Sequence, residues 1–208
     1  MEPAAVHRSH RAPLLPRLWK ARPYRARRAR STVCGAANVA AALAASSALA
    51  APLLPVLPQS ALPGLASSTR AVTPPDLASD VAGGAPFQRR LVSWGFARGR
   101  ERDFQGESQT IDRAVSRTLE FRTTAGARAY VRFLGSHAAS LYGVGSSARP
   151  LESRGRSGYL VTAAACACHR AEPTLLALLT RVRRVTWLEV NGGAATPATV
   201  VRLVAQAP

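Results

Sequence analysis

Hydrophobic and polar positions divide this chain into four stretches. Between Arg30 and Arg70 no charged side chain occurs. Inside that interval residues 31–57 read STVCGAANVAAALAASSALAAPLLPVL, and Thr32–Ala51 is a run of 20 uncharged residues ending at Pro52. A helix of that length just crosses a hydrocarbon core of about 30 Å. Only Val33, Val39, Leu43 and Leu49 in the run are strongly apolar. Such residues favour insertion by about 0.3–0.6 kcal/mol each, so the run is weak as a permanent span and normal as a secretory apolar segment. Ala48-Leu49-Ala50 supplies the small-x-small pattern of a signal-peptidase site, and Gly64-Leu65-Ala66 is a later candidate. Residues 31–57 are therefore read as a signal or membrane-anchor segment. Residues 58–86, rich in proline, serine and alanine, read as a tether.

Periodicity returns in residues 87–208. Phe87–Trp94 is a short helical or extended piece broken by Gly95, and FARGRERDF (96–104) alternates with so many charges that it predicts an edge strand. In the strand 114–122, Val115, Leu119 and Phe121 share one face. A helix over 125–142 follows, capped by Thr123 or Thr124, with Tyr130, Phe133, Leu134, His137 and Leu141 at helical spacing. Residues 143–158 read as a loop and Tyr159–Cys168 as a strand of small side chains. Glu172–Arg184 predicts a helix with Pro173 in its first turn and Arg181, Arg183 and Arg184 at its C-terminal end. VTWLEV (185–190) is a strand, Asn191-Gly192-Gly193 a turn, and Thr196-Pro197 the start of a last helix. The resulting order, β-β-α-β-α-β-α, predicts an α+β fold: an antiparallel sheet with helices packed on one face.

Charge changes this picture less than its size suggests. The 208-residue chain carries a formal charge of +17, which taken alone favours an anionic partner. Residues 1–30 hold nine basic side chains against Glu2, and residues 87–208 hold 18 basic and 8 acidic ones. Lacking any apolar period, the leader 1–30 reads as disordered. Placed directly before an apolar run, its arginines fit the cytoplasmic flank of a membrane segment and an anionic membrane surface. Arg27-Arg28 lacks the apolar pair that would make it a twin-arginine signal. A nucleic-acid-binding arm is the alternative, disfavoured because neither aromatic stacking residues nor a recognition helix accompany the arginines.

Candidate chemistry is sparse. Cys166 and Cys168 lie on one face of a strand beside His169. With His137 the other domain histidine, a zinc site would be short of ligands. Disulfide formation by either cysteine and packing as thiols both stay open. Cys34 has no lipobox before it. Gly143-Val144-Gly145-Ser146-Ser147 follows a helix and lacks a closing Lys-Ser/Thr, which argues against a phosphate loop. A hydrolase would draw on Cys168, His137 or His169, and Glu172 or Glu189, yet nothing in their spacing brings them together. The sequence thus assigns no catalytic, cofactor-binding or metal-ligating residue.

GFARGRERDF, SRTLEFRTTAGARAYVRFL and SGYLVTAAACAC, across about residues 90–205, together form a loose pattern. It is similar to that of uncharacterised exported domains of high-GC bacteria: Gly-Phe before a basic strand, a strand ending in Phe, an A-x-A-aromatic helix, and a Gly-Tyr strand. Phe104 stands where that pattern often has Trp. The resemblance implies an exported α+β module and carries no catalytic residues. The expectation is a non-enzymatic domain, secreted or anchored by residues 32–51, that binds or senses an envelope ligand or protein outside the cytoplasm.

Overall fold

The computed structural model describes residues 52–81, 83–106, 111–163 and 174–208. The leader, residues 31–51 with Cys34 and the Ala48-Leu49-Ala50 site, and the segment holding Cys166, Cys168, His169 and Glu172 lie outside the described residues. Among the described residues, no helix is long and apolar enough to cross a membrane.

The fold is α+β, built on one seven-stranded antiparallel sheet. In chain order the elements are β1 (Ala66–Val72), α1 (Pro74–Ser79), α2 (Gly84–Ser93), β2 (Phe96–Gln105), β3 (Arg113–Phe121), α3 (Thr124–Ser136) and α4 (Ala138–Tyr142). Then follow β4 (Ser147–Ser153), β5 (Arg156–Ala163), β6 (Thr174–Arg181), β7 (Arg184–Asn191) and α5 (Pro197–Gln206). The strand order is β1-β2-β3-β7-β6-β5-β4.

Both faces of the sheet are covered, which extends the expected arrangement of helices on one face. On one side α1–α4 pack Leu77, Phe87, Tyr130 and Leu134 against Leu119, Phe121, Leu178 and Trp187. On the other, α5 brings Val200, Leu203 and Val204 onto Leu175, Leu179, Leu188 and Val190, and Leu57, Leu62 and Leu65 join that core.

This second core explains three departures from the sequence reading. Residues 174–181 form a strand, although leucines at 175, 176, 178 and 179 mimic a helical stripe. A strand covered on both faces needs no polar alternation, so its apolar run is continuous. Leu176 and Leu178 enter one core while Leu175, Ala177 and Leu179 enter the other. Secondly, residues 58–86 are no tether: they carry a 3-10 turn (Gln59–Ala61), β1 and α1, and they bury Leu62, Leu65, Val72 and Leu77. Their prolines fall at turns and in the first turns of α1 and α2, where a missing N–H costs nothing. Thirdly, β2 is not an edge strand, because β1 pairs along it from Ala66–Gln105 to Val72–Gly99.

Smaller corrections have local causes. Ser147–Ser153, read as loop, is an edge strand carrying Pro150, a position where a proline blunts further pairing. A β-bulge between Phe96 and Arg98 reverses the alternation of β2. Phe96 therefore packs with the α1–α4 core and Phe104 with the opposite one. The single helix expected over 125–142 breaks at His137, whose φ of −114° and ψ of 23° end α3 before α4 begins. Thr123 caps α3 as expected, its hydroxyl accepting from the Gly126 N–H at 3.0 Å. Gly126 is required there, since a Cβ would stand 1.8 Å from the Trp94 carbonyl oxygen.

Candidate functional site

Residues 52–57 lie as a strap over the face of β2 and β3 opposite α1–α4. Three alternate residues of β2 hold it. Arg98, Arg100 and Arg102 each donate from Nη1, to the carbonyls of Pro52 (3.1 Å), Leu54 (3.2 Å) and Leu57 (2.9 Å). From β3, Thr118 donates to the Pro55 carbonyl, and Ser116 Oγ accepts from the Leu57 N–H at 3.0 Å. The arginines that made 96–104 look like a solvated edge thus satisfy the backbone of a segment with no strand partner of its own.

Beside the strap opens a groove of about 530 Å³ at the end of the sheet where β4 turns into β5 and β6 into β7. Pro55 forms part of its wall. Arg154, Arg156, Arg181, Arg183 and Arg184 line it, with Glu120 the single acidic side chain. That carboxylate is already engaged, at 2.6 Å from Arg98 Nε and 3.9 Å from Arg184 Nε. Arg156 is only 6% exposed. It donates to the carbonyls of Val204 (2.7 Å) and Ala207 (3.1 Å) and to Thr186 Oγ1 (3.3 Å), so it caps the C-terminal end of α5. Burial, and then the charges of Arg154 and Arg181, depress the pKa of Arg156. Arg154, Arg181 and Arg183 are exposed and pair with no carboxylate among the described residues. The groove is therefore a site of uncompensated positive charge, suited to a phosphate, sulfate or carboxylate group.

A second polar constellation lies under the helices. Arg117 and Glu101, each 3% exposed, form an ion pair through Arg117 Nε. Glu101 also accepts from Arg70 Nε at 2.8 Å, and Arg117 Nη1 makes a charge contact of 2.7 Å with Asp80 that is not an aligned hydrogen bond. The Arg117 guanidinium lies 5.0 Å over the Trp187 ring. Burial raises the pKa of Asp80 against the pull of Arg117. Next to this network the Tyr130 and Tyr142 hydroxyls and the Trp187 Nε1–H are buried without a hydrogen-bond partner among the described residues. Burial raises the pKa of both tyrosines. Glu189 too is raised by burial, only partly countered by Arg117 and Arg113.

Of the candidates for hydrolytic chemistry, His137 and Glu189 are the two among the described residues, and they lie on separate elements with no contact between them. His137 is exposed at the end of α3, stacked 4.3 Å from Phe133, with Nδ1 2.9 Å from Ser136 Oγ and 3.0 Å from the Phe133 carbonyl. No carboxylate orients it among the described residues. Glu189 sits on β7 facing the helix layer, in the Arg117 neighbourhood. Gly143 and Gly145 take positive φ in a turn between α4 and β4, away from any strand-to-helix junction. No group of three metal-ligating side chains occurs among the described residues.

Sequence reasoning missed the arginine groove. Its signals, R-G-R at 154–156 and R-V-R-R at 181–184, were visible. By pattern alone one reads as loop and the other as the end of a helix. Once 174–181 and 184–191 are strands, both motifs become hairpin tips side by side.

Fold and site together define a two-core antiparallel α+β domain with a cationic groove. No protein-family model matches the chain, and no curated protein matches it. Among solved structures, it is similar to the crystal structure of the extracellular domain of PknH from Mycobacterium tuberculosis. Identity is 10%, with 68% of this chain and 79% of that one covered and a TM-score of 0.42.

Proposed function

We propose that this chain is a non-enzymatic cell-envelope domain, exported or membrane-tethered through residues 32–51, that binds a partner bearing oxyanion groups. The observation that carries the binding role is the groove, where five arginines face one already-paired glutamate. The leader and the apolar run supply the location: nine basic side chains before a charge-free run of 20 residues fit the topology of an exported chain. The non-enzymatic reading is supported by His137, the candidate base among the described residues, which is exposed and stacked on Phe133 with no carboxylate beside it among those residues.

The experiment is fractionation of expressing cells together with determination of the mature N-terminus. A chain starting near residue 51 in the extracytoplasmic fraction means secretion, and an intact chain in the membrane fraction means an anchor. Full-length protein in the soluble cytoplasm overturns the proposal.

A second reading, nucleic-acid binding, draws on the same arginines. It requires affinity for duplex DNA that falls steeply with salt and is lost in Arg154→Glu/Arg183→Glu. No aromatic side chain lines the groove to stack a base, and this places it second.

A further inference from the structure

The hairpin from β6 to β7 has a composition that neither core explains. Arg181, Arg183 and Arg184 surround Val182, whose side chain is 65% exposed. The backbone of Val182 has a φ of 54°, and Arg154, at the tip of the neighbouring hairpin, one of 50°. These are the two non-glycine residues of positive φ among the described residues, and both line the groove. A β-branched residue in the left-handed region is strained, and strain of this kind gathers where a surface is shaped for contact.

A chain of contacts joins the hairpin to the strap. Arg184 meets Glu120 at 3.9 Å, Glu120 meets Arg98 at 2.6 Å, and Arg98 holds the Pro52 carbonyl at 3.1 Å. The next residue, Leu53, is 75% exposed. Exposed Val182 thus sits among the groove arginines, three of which have no acidic partner among the described residues, and exposed Leu53 lies on the strap that Arg98 holds.

We propose that this end of the domain is a docking face for anionic lipid headgroups. Arginine forks take the headgroup phosphates. Val182 and Leu53 enter the boundary between headgroups and acyl chains, where exposed aliphatic side chains flanked by cations are at their most favourable. Three observations select a lipid surface over other anions. The free arginines are spread over two exposed hairpin tips, as an extended array of phosphates requires, and do not converge on one enclosed point. Exposed Val182 and Leu53 gain nothing from a soluble polyanion. Pro55, in the groove wall, follows the apolar run 32–51 by four residues, a reach of at most about 14 Å of extended chain. The proposal rests on the membrane reading of that run and adds that the folded domain itself contacts the bilayer.

The test uses the full chain reconstituted into bilayers of phosphatidylcholine alone or of an equimolar mixture with phosphatidylglycerol. Hydrogen exchange is read on the amides of Leu53 and Leu54 and of residues 181–184. Expected is slowing of at least about fivefold per engaged arginine in the anionic bilayers only. The slowing is reversed by high salt and lost in Arg181→Glu/Arg183→Glu and in Val182→Asp. Protection of Leu178 and Trp187 amides reports that the variants are folded. Equal exchange in both bilayers, or slowing that survives the charge reversal in folded protein, overturns the proposal. So does equal slowing by inositol hexakisphosphate or duplex DNA without lipid. Release of the chain by alkaline carbonate instead sinks the anchor reading. Anionic-lipid-dependent slowing by the released, rebound chain then still upholds docking, so the two failures are told apart.

Discussion

Glu101 accepts from two arginines whose surroundings differ, and this makes a controlled test of what burial does to an ion pair. Arg117 is 4% exposed as a side chain and Arg70 is 51% exposed, while the Glu101 carboxylate is 4% exposed in both pairs. Replacing Arg117 with Met keeps the volume of the stem and its contact with Trp187 but removes the charge. Glu101 then keeps only its half-exposed partner, and Asp80 loses the charge contact at 2.7 Å. Removing one partner of a buried pair costs about 3–5 kcal/mol, because the remaining charge stays desolvated. Arg70→Met removes an exposed partner and costs about 0.2–1 kcal/mol, since solvent already screens that pair. At about 2–4 °C per kcal/mol for a domain of this size, the expected fall in Tm is roughly 6–20 °C for Arg117→Met and at most about 4 °C for Arg70→Met. Chemical denaturation followed by tryptophan fluorescence measures both, and Trp187 reports the network directly. Equal losses, or a larger loss for Arg70, would refute the argument that burial and not contact distance sets the cost.

Four further outcomes follow from the same coordinates. Leu57→Ala empties a fully buried position in the α5 core and is expected to cost about 2–5 kcal/mol in urea denaturation. Leu53→Ala, at an exposed position four residues earlier, should stay within about 0.5 kcal/mol. Gly158→Ala places a Cβ 1.9 Å from the Leu178 carbonyl oxygen, which separates β5 from β6. A loss above about 4 kcal/mol, or insoluble expression, is the expected result. Glu189 is half-buried and desolvation raises its pKa, so the folded state binds the proton more tightly than the unfolded one. Stability therefore falls as pH rises above the ordinary glutamate range. Glu189→Gln removes this dependence, and its stability relative to the natural chain should rise as pH climbs above the ordinary glutamate range; a flat difference counts against the assignment.

Local signals were legible where one residue type decides one event. Thr123 and Thr196 cap helices by accepting from Gly126 and Thr199, and such caps are read from short-range chemistry alone. The strand Val185–Val190 announces itself by period, whereas of the stripe expected over 125–142 Tyr130 and Leu134 are buried and His137 is exposed, the helix ending there. What stayed hidden depends on tertiary cover. A leucine-rich run at 175–179 has the same residues whether it is a helix with one buried face or a strand with two. Only the packing of α5 and of Leu57, Leu62 and Leu65 on the second face decides between them. Arg98, Arg100 and Arg102 looked like solvated charges because their partners are backbone carbonyls 45 or 46 residues away, and carbonyls leave no mark in a sequence. The groove was invisible for the same reason: it exists only once two hairpins stand side by side.

The strap bears directly on the proposed membrane attachment. A flexible tether over residues 58–86 would have let the domain range far from any anchor, by up to about 3.3–3.6 Å per residue. Instead the backbone is held from Pro52 onward, and Leu54, Val56 and Leu57 are buried. If residues 32–51 sit in a bilayer, the domain has almost no free chain between it and the membrane boundary. A domain so restrained samples few orientations, and the entropy lost on docking against the lipid is correspondingly small. Modest arginine contacts then suffice, because effective concentration replaces affinity. Inserting a Gly/Ser spacer between Ala51 and Pro52 should therefore weaken lipid-dependent protection of the 181–184 hairpin as the spacer lengthens. Protection independent of spacer length would mean that the hairpin docks by its own affinity, and that the shortness of the strap plays no part in it.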